Sequence, residues 1–197
     1  HAVSDLLEPG SVFKTASIMT ALDDGVVDTN YQVNTGSGVW PMYGREMKDH
    51  NWRRGGYGVL TLPQTLMVSS NIGVSRIIDD HYRNDPEKFI RGIYRTGLAD
   101  NLRIPLVGAS PARIRMPKKN ERGEWVNWSH TALPWMSIGY ETQVPPISTL
   151  TFYNAIANNG KMMRPRFVKE VVKNGEVIME FPPEVMRAHI CKEKTLR

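Results

Sequence analysis

Glu8-Pro9-Gly10-Ser11-Val12-Phe13-Lys14-Thr15 brings a Pro-Gly turn up against a serine, with a lysine three residues further on. Pro-Gly marks a turn, and the apolar-periodic residues after it predict a helix that opens at Ser11. On a helix, residues three apart share a face. A hydroxyl beside an amine at a helix N-terminus is a candidate nucleophile with its base. The plain alternative is a serine that merely caps a helix, as serine often does. With 11 serines and 10 lysines in the chain, the spacing alone arises by chance roughly half the time. Placement directly after the turn is what gives it weight.

The rest of the composition bounds the answer. A chain of 197 residues with 41% hydrophobic and 23% charged residues is long enough for a real core and is not disordered by composition. The net charge of +5 is spread out, apart from Arg53-Arg54 and Lys118-Lys119, which argues against nucleic-acid binding. Cys191 is the single cysteine, so an internal disulfide is excluded and neither a metal cluster nor a cofactor is expected. His189 stands two residues from it, a pairing read as inert. No apolar run approaches the ~18 residues of a membrane span, and no signal peptide is visible. The chain starts at His1 rather than methionine, which reads as a piece whose targeting segment and anchor lie upstream.

Outward from Ser11, a first helix should run to about Asp24 and stop at Gly25. Residues 26–60 hold no sustained period and are cut by glycines into loops and short strands. Thr61-Leu62-Pro63 opens a second helix whose buried face is expected at Leu62, Leu66 and Met67. A third should run from Ile72 to about His81, and a fourth from Asp85-Pro86-Glu87 through Tyr94. Residues 101–135 read as irregular. An amphipathic helix follows Pro145-Pro146 from Ile147 to Ala157. Phe167–Val172 and Glu176–Phe181 flank Lys173-Asn174-Gly175, and Asn-Gly predicts a tight hairpin. The expectation is an α+β, helix-rich chain with one β-hairpin.

Between the second and third helices stands Ser69-Ser70-Asn71. A polar triplet inserted into apolar helices must be hydrogen-bonded or line a cleft; a cap or kink is the plainer reading. The two features in this order, each at a helix break, outweigh either one.

Taken together, Glu8-Pro9-Gly10-Ser11-Val12-Phe13-Lys14 and Ser69-Ser70-Asn71 resemble the S-x-x-K and S-x-N motifs of penicillin-binding proteins. Ser137-Ile138-Gly139-Tyr140-Glu141, the Val144-Pro145-Pro146 helix start and Ala157-Asn158-Asn159-Gly160-Lys161-Met162-Met163-Arg164-Pro165 are similar to the class B, division-specific D,D-transpeptidases. The resemblance covers nearly the whole chain. It implies the fold shared by these enzymes and the β-lactamases, here a partial domain with most of its central sheet missing. Residues 1–162 would form the helix-rich part, 163–183 the hairpin, and 184–197 a tail leading toward a third motif. That motif, K-[ST]-G, is not found: Lys194-Thr195-Leu196 has leucine where glycine is needed for close backbone approach, and reads as chance. The chain by itself is therefore expected to be impaired.

The resemblance implies Ser11 as nucleophile and Lys14 as base, with Ser69 as proton relay and Asn71 holding the substrate amide. Ser70 and Tyr140 are taken as substrate-binding. It further implies peptidoglycan stem peptides and β-lactam antibiotics as ligands, cell-wall and cell-division proteins as partners, and a location on the periplasmic face of the inner membrane. Glu124 and Glu141 read as solvated loop carboxylates rather than water-activating bases. Trp125, Trp128, Trp135 and Tyr140 read as packing anchors or a groove wall. The rival readings are a D,D-carboxypeptidase, a β-lactamase, a penicillin-recognising sensor and a non-catalytic scaffold.

Overall fold

Helix α1 (Lys14–Asp23) runs through the middle of the protein, whose computed structural model describes residues 1–197. Seven of its ten residues are buried, among them Ala16, Ile18, Met19 and Ala21. A helix covered on all sides has no solvent stripe, so the single apolar face read from the sequence is a correction in kind. Its polar residues are satisfied within the core: Ser17 Oγ donates to the Ser137 carbonyl at 2.7 Å and Thr20 Oγ1 to the Ala16 carbonyl at 2.9 Å. The helix also starts later than expected. Gly10–Phe13 form a 3-10 turn, and the α-helix begins only at Lys14.

Around it pack α3 (Asn71–Tyr82) and α4 (Pro86–Arg95), supplying Ile72, Val74, Ile77, Ile78, Tyr82, Phe89, Ile90 and Ile93 to one continuous core. The approach of α4 is close: a Cβ on Gly92 would lie 2.1 Å from Thr20 Cγ2, so only glycine fits that crossing. Asp85 caps α4 by accepting from Lys88 N, with Pro86 in the first turn as read. The short helix α2 (Leu62–Met67) starts in the capping box that Thr61 predicts, with Gln64 as its reciprocal partner. Its buried face is Leu62 and Thr65; Leu66 and Met67 (81% exposed) turn outward, against the expectation. A six-residue helix offers too few turns for hydrophobic period to decide its facing.

Two further helices complete the helical part. α5 (Ala132–Ser137) lies in the stretch read as irregular, concealed by Pro134 in its first turn. α6 (Pro146–Ala157) buries Ser148, Thr151, Phe152 and Ala155, the i, i+3, i+4, i+7 row of one face, and leaves Leu150 outside.

The strands form only pairs: β1 (Gln32–Asn34) with β4 (Val59–Thr61), β2 (Val39–Met42) with β3 (Arg45–Lys48), β5 (Met162–Met163) with β8 (Val185–Arg187), and β6 (Glu170–Lys173) with β7 (Glu176–Glu180). The β6–β7 hairpin turns at Asn174 and Gly175, both with positive φ, as Asn-Gly requires. A second hairpin, β2–β3, corrects the count of one. It turns at Tyr43 (φ +52) and Gly44 (φ +81). Tyrosine in the left-handed region and Pro41 within the strand kept it out of sight. Lys194-Thr195-Leu196 lies in a last short helix, α7 (Glu193–Leu196), with Thr195 Oγ1 on Asp23, not on a strand.

Candidate active site

The chain reaches Ser11 along a short ladder. Val144 N donates to Leu7 O at 2.8 Å, Glu141 N to the Glu8 carboxylate at 2.8 Å, and Gly10 N to Gly139 O at 3.0 Å. Gly139 is the tight point: a Cβ there would stand 1.8 Å from the Gly10 carbonyl oxygen. From the other side, the Tyr153 hydroxyl on α6 donates to the Val12 carbonyl at 2.8 Å and lies 2.8 Å from Thr15 Oγ1. The turn is thus held on two flanks, with Ser11 exposed between them. Ser11 lies in the 3-10 turn, and Lys14 N donates to the Ser11 carbonyl, so Lys14 follows Ser11 by one tight turn.

Lys14 is buried at 2% exposure as the first residue of α1. Its Nζ donates to the Ser69 carbonyl at 2.8 Å and to Ser69 Oγ at 2.9 Å. Burial lowers its pKa to about 8, opposed in part by the charge of Asp49, which raises it. Desolvation is the larger of the two physical causes. A neutral amine has two N–H groups and one lone pair, and with both N–H groups on Ser69 the lone pair is free to take a proton.

Ser69 itself has φ +52, a left-handed backbone on a residue that is neither glycine nor asparagine. That conformation lets its carbonyl and its hydroxyl reach the same amine. The next residue supplies the hold. Ser70 Oγ accepts from Gly73 N at 2.8 Å as the N-cap of α3, and donates to Asp49 Oδ2 at 2.8 Å. Asp49 Oδ1 accepts from Ile72 N at 3.0 Å. Asp49 (1% exposed) therefore braces the turn from beneath. Nothing in the local text around Lys48-Asp49-His50 marks it, because its partners lie 21 and 23 residues away.

Ser11 and Ser69 are exposed, Asn71 is half-buried, and Lys14 lies under them. Asn71 Nδ2 donates to the Lys48 carbonyl at 2.9 Å, which fixes its amide plane. Ser70 corrects the sequence reading: fully buried and bonded to Asp49 and Gly73, its hydroxyl is spent on the fold rather than presented to a substrate. Tyr140 follows Gly139 directly and is 44% exposed. Glu141 is not a free solvated carboxylate, since Arg115 pairs with it; Glu124 accepts from Asn120. Burial pushes the Cys191 thiol up, which fits the inert reading.

A buried amine of lowered basicity, touching one exposed hydroxyl and set one tight turn from another, is equipment suited to serine acyl transfer without histidine. The description "Penicillin binding protein transpeptidase domain" fits residues 1–197 from end to end, and the chain belongs to that family. It is 29% identical over 187 residues to the probable peptidoglycan D,D-transpeptidase PbpC of Pseudomonas aeruginosa, covering 95% of this chain and 30% of that protein. It is 31% identical over 188 residues to the peptidoglycan D,D-transpeptidase FtsI of Escherichia coli K12, covering 95% of this chain and 29% of that protein. The transpeptidase domain of Burkholderia pseudomallei penicillin-binding protein 3 superposes with a TM-score of 0.76 at 27% identity, over 99% of this chain and 52% of that one.

Proposed function

We propose that this chain carries the serine, lysine and serine-asparagine elements of a peptidoglycan D,D-transpeptidase, with Ser11 as the acylated residue. Lys14 takes the proton from the Ser11 hydroxyl as its oxygen bonds to the carbonyl carbon of the penultimate D-alanine of a stem peptide. The resulting oxyanion faces the N–H of Ser11, in a first turn where backbone N–H groups lack an acceptor within the helix. As the C–N bond breaks, the leaving D-alanine nitrogen takes a proton through Ser69, which passes it from Lys14. The Ser11 ester is then attacked by the amine of a second stem peptide. A new amide forms as the Ser11 ester C–O bond breaks, and the amine's proton passes through the Lys14–Ser69 pair to the Ser11 oxygen. Asn71 holds the amide group of the donor. Ser70 positions Ser69 and Asn71 instead of touching substrate, and Tyr140 borders the groove.

One observation carries this reading: Lys14 Nζ is bonded to both the carbonyl and the hydroxyl of Ser69, across 55 residues of sequence, at a pKa lowered to about 8. Glu141 is paired with Arg115 and Glu124 accepts from Asn120, so neither of the two candidate carboxylates is set up as a water-activating base. That favours a long-lived acyl-enzyme over a β-lactamase. Cross-linking of the wall occurs outside the cytoplasmic membrane, so the proposal places the protein on its periplasmic face, among cell-wall and cell-division proteins. No helix is long and apolar enough to cross a membrane.

The test is intact-mass analysis of the full-length protein after exposure to benzylpenicillin, with peptide mapping. The expected result is one adduct, on the peptide that contains Ser11, and none in Ser11→Ala. An adduct on another residue, or an unlabelled wild type, overturns the proposal.

A further inference from the structure

Some distance from Ser11, the β2–β3 turn, the C-terminal half of α3 and the segment 125–133 enclose a cavity of about 240 Å³. Its walls are aromatic: Tyr43 from the turn, and Trp125, Trp128 and His130 from the segment, with Asp79 of α3 and Arg83 just past its end completing the lining. The aromatic groups are fixed in place. Tyr43 stacks on His130 with centroids 5.3 Å apart and 22° between planes, and its hydroxyl donates to Asp79 Oδ2 at 2.8 Å. The Arg115 guanidinium lies 5.3 Å from the Trp128 ring centroid, and the Lys119 amine 4.4 Å from that of Trp125. The left-handed backbone of Tyr43 is a strained conformation that this stack and hydrogen bond hold.

From these residues we propose a saccharide-binding subsite, taking an N-acetylated hexosamine of the glycan strand to which a stem peptide is attached. A pyranose has an apolar C–H face that packs on the electron-rich faces of aromatic rings, and a rim of hydroxyls that hydrogen-bond in the ring plane. Aromatic walls over a buried carboxylate match that division. Asp79 Oδ2 is used by Tyr43, while Oδ1 has no protein partner and is free to accept a hydroxyl. A phosphate or carboxylate ligand fits poorly, because the Arg83 guanidinium is already bonded to Asp80 at 2.8 Å beside the acid of Asp79. The volume suits one sugar ring rather than the ~300–1,000 Å³ of a larger ligand site.

Placement supports the same occupant, and here the inference rests on the proposed transpeptidase reading. Asn71 and Asp79 stand in one i+4 row of α3 with Ser75, which is fully buried, so a peptide spanning them would pass above the row rather than along it. Eight residues of helix place the cavity about 12 Å along α3 from the Ser69–Asn71 turn. An extended peptide covers that span in about four residues. A stem peptide whose reacting carbonyl lies at Ser11 would thus carry its sugar to the aromatic cavity.

The test compares two donors with the full-length protein: a D-Ala-D-Ala stem peptide alone, and the same peptide linked to the N-acetylglucosaminyl-N-acetylmuramyl disaccharide. Saturation-transfer NMR with the peptide-free disaccharide runs alongside. The expected result is a kcat/KM for Ser11 acylation about fivefold higher with the disaccharide attached, a gain that falls to about one in Asp79→Asn and in Trp125→Ala. Asp79→Asn keeps an oxygen for the Tyr43 hydroxyl, so its fold is preserved, and penicillin acylation should be unchanged in both variants. Equal kcat/KM for the two donors in wild type, or a gain that survives both substitutions, overturns the subsite, as does an absent saturation-transfer signal. A protein that binds the disaccharide but is never acylated by peptide or penicillin would refute the transpeptidase reading and leave the subsite standing.

Discussion

Of the non-glycine residues with a left-handed backbone, Ser69 (φ +52) and Asn174 (φ +54) each sit at a turn, and the two turns are held by different means. Asn174 sits in a two-residue hairpin loop before Gly175, where asparagine and glycine accept positive φ at little cost. Local chemistry suffices there. Ser69 has no such tolerance. Its conformation is imposed by Lys14 above and by the Ser70–Asp49 bond below, partners 55 and 21 residues distant. A strained residue held from far away points to a site; the same angle at Asn-Gly points only to a turn.

Removing the distant hold should give the largest effect. Asp49→Ala leaves Ser70 Oγ and Ile72 N without their shared acceptor in a buried setting. Each such loss costs about 1–3 kcal/mol, so we expect roughly 3 kcal/mol in denaturant unfolding. Penicillin acylation should fall about 10²-fold or more, since a small misplacement of Ser69 disturbs the bonded amine. Acylation at the wild-type rate in a destabilised Asp49→Ala protein would show that Asp49 serves the fold and not the turn.

The charge of Asp49 gives a second, smaller readout. Proton abstraction by Lys14 requires its neutral form, so the acylation rate should rise with pH and level off with a midpoint near 8. Asp49 raises the Lys14 pKa; Asp49→Asn removes that charge, and the midpoint should move down. The same shift has a consequence for stability. Lysine is ordinarily 10.5 and here about 8, so between those values the unfolded chain binds more protons than the folded one. Unfolding free energy from Lys14 therefore rises with pH through that window, by roughly 3 kcal/mol in total. An acylation profile flat from pH 6 to 10 would remove Lys14 as the base.

The contrast between the turns also explains what could be read in advance. Ser11, Lys14, Ser69 and Asn71 stand out in the sequence because each belongs to a short spaced motif, and the Asn174-Gly175 hairpin is legible because two residues determine it. Asp49 and Gly139 act only through groups far along the chain, and Tyr153 through a hydroxyl on a distant helix. Ser70 looked available to a substrate because a sequence shows residue type and not facing; one rotation along the turn sends it into the core. Tyr43-Gly44 does not read as a hairpin in the sequence, for the reason that makes Ser69 unusual: a left-handed residue held by its surroundings, here His130 and Asp79.

The smallest effect belongs to the hairpin. Asn174→Ala places a Cβ residue at φ +54, at a cost of about 1–2 kcal/mol. Yet β6–β7 is bare on both faces: Val171, Val172, Val177, Ile178 and Met179 are 40–59% exposed. A hairpin with so little packed against it opens apart from the core, so its loss is local. Amide exchange at Val177, across from Val172 in the register, should quicken about fivefold or more. The main thermal transition should move by less than the ~2–4 °C that 1 kcal/mol gives a chain of this size, and acylation should not change. A cooperative fall in Tm beyond that range, with loss of acylation, would mean that the two turns are coupled and that the difference between them is one of degree.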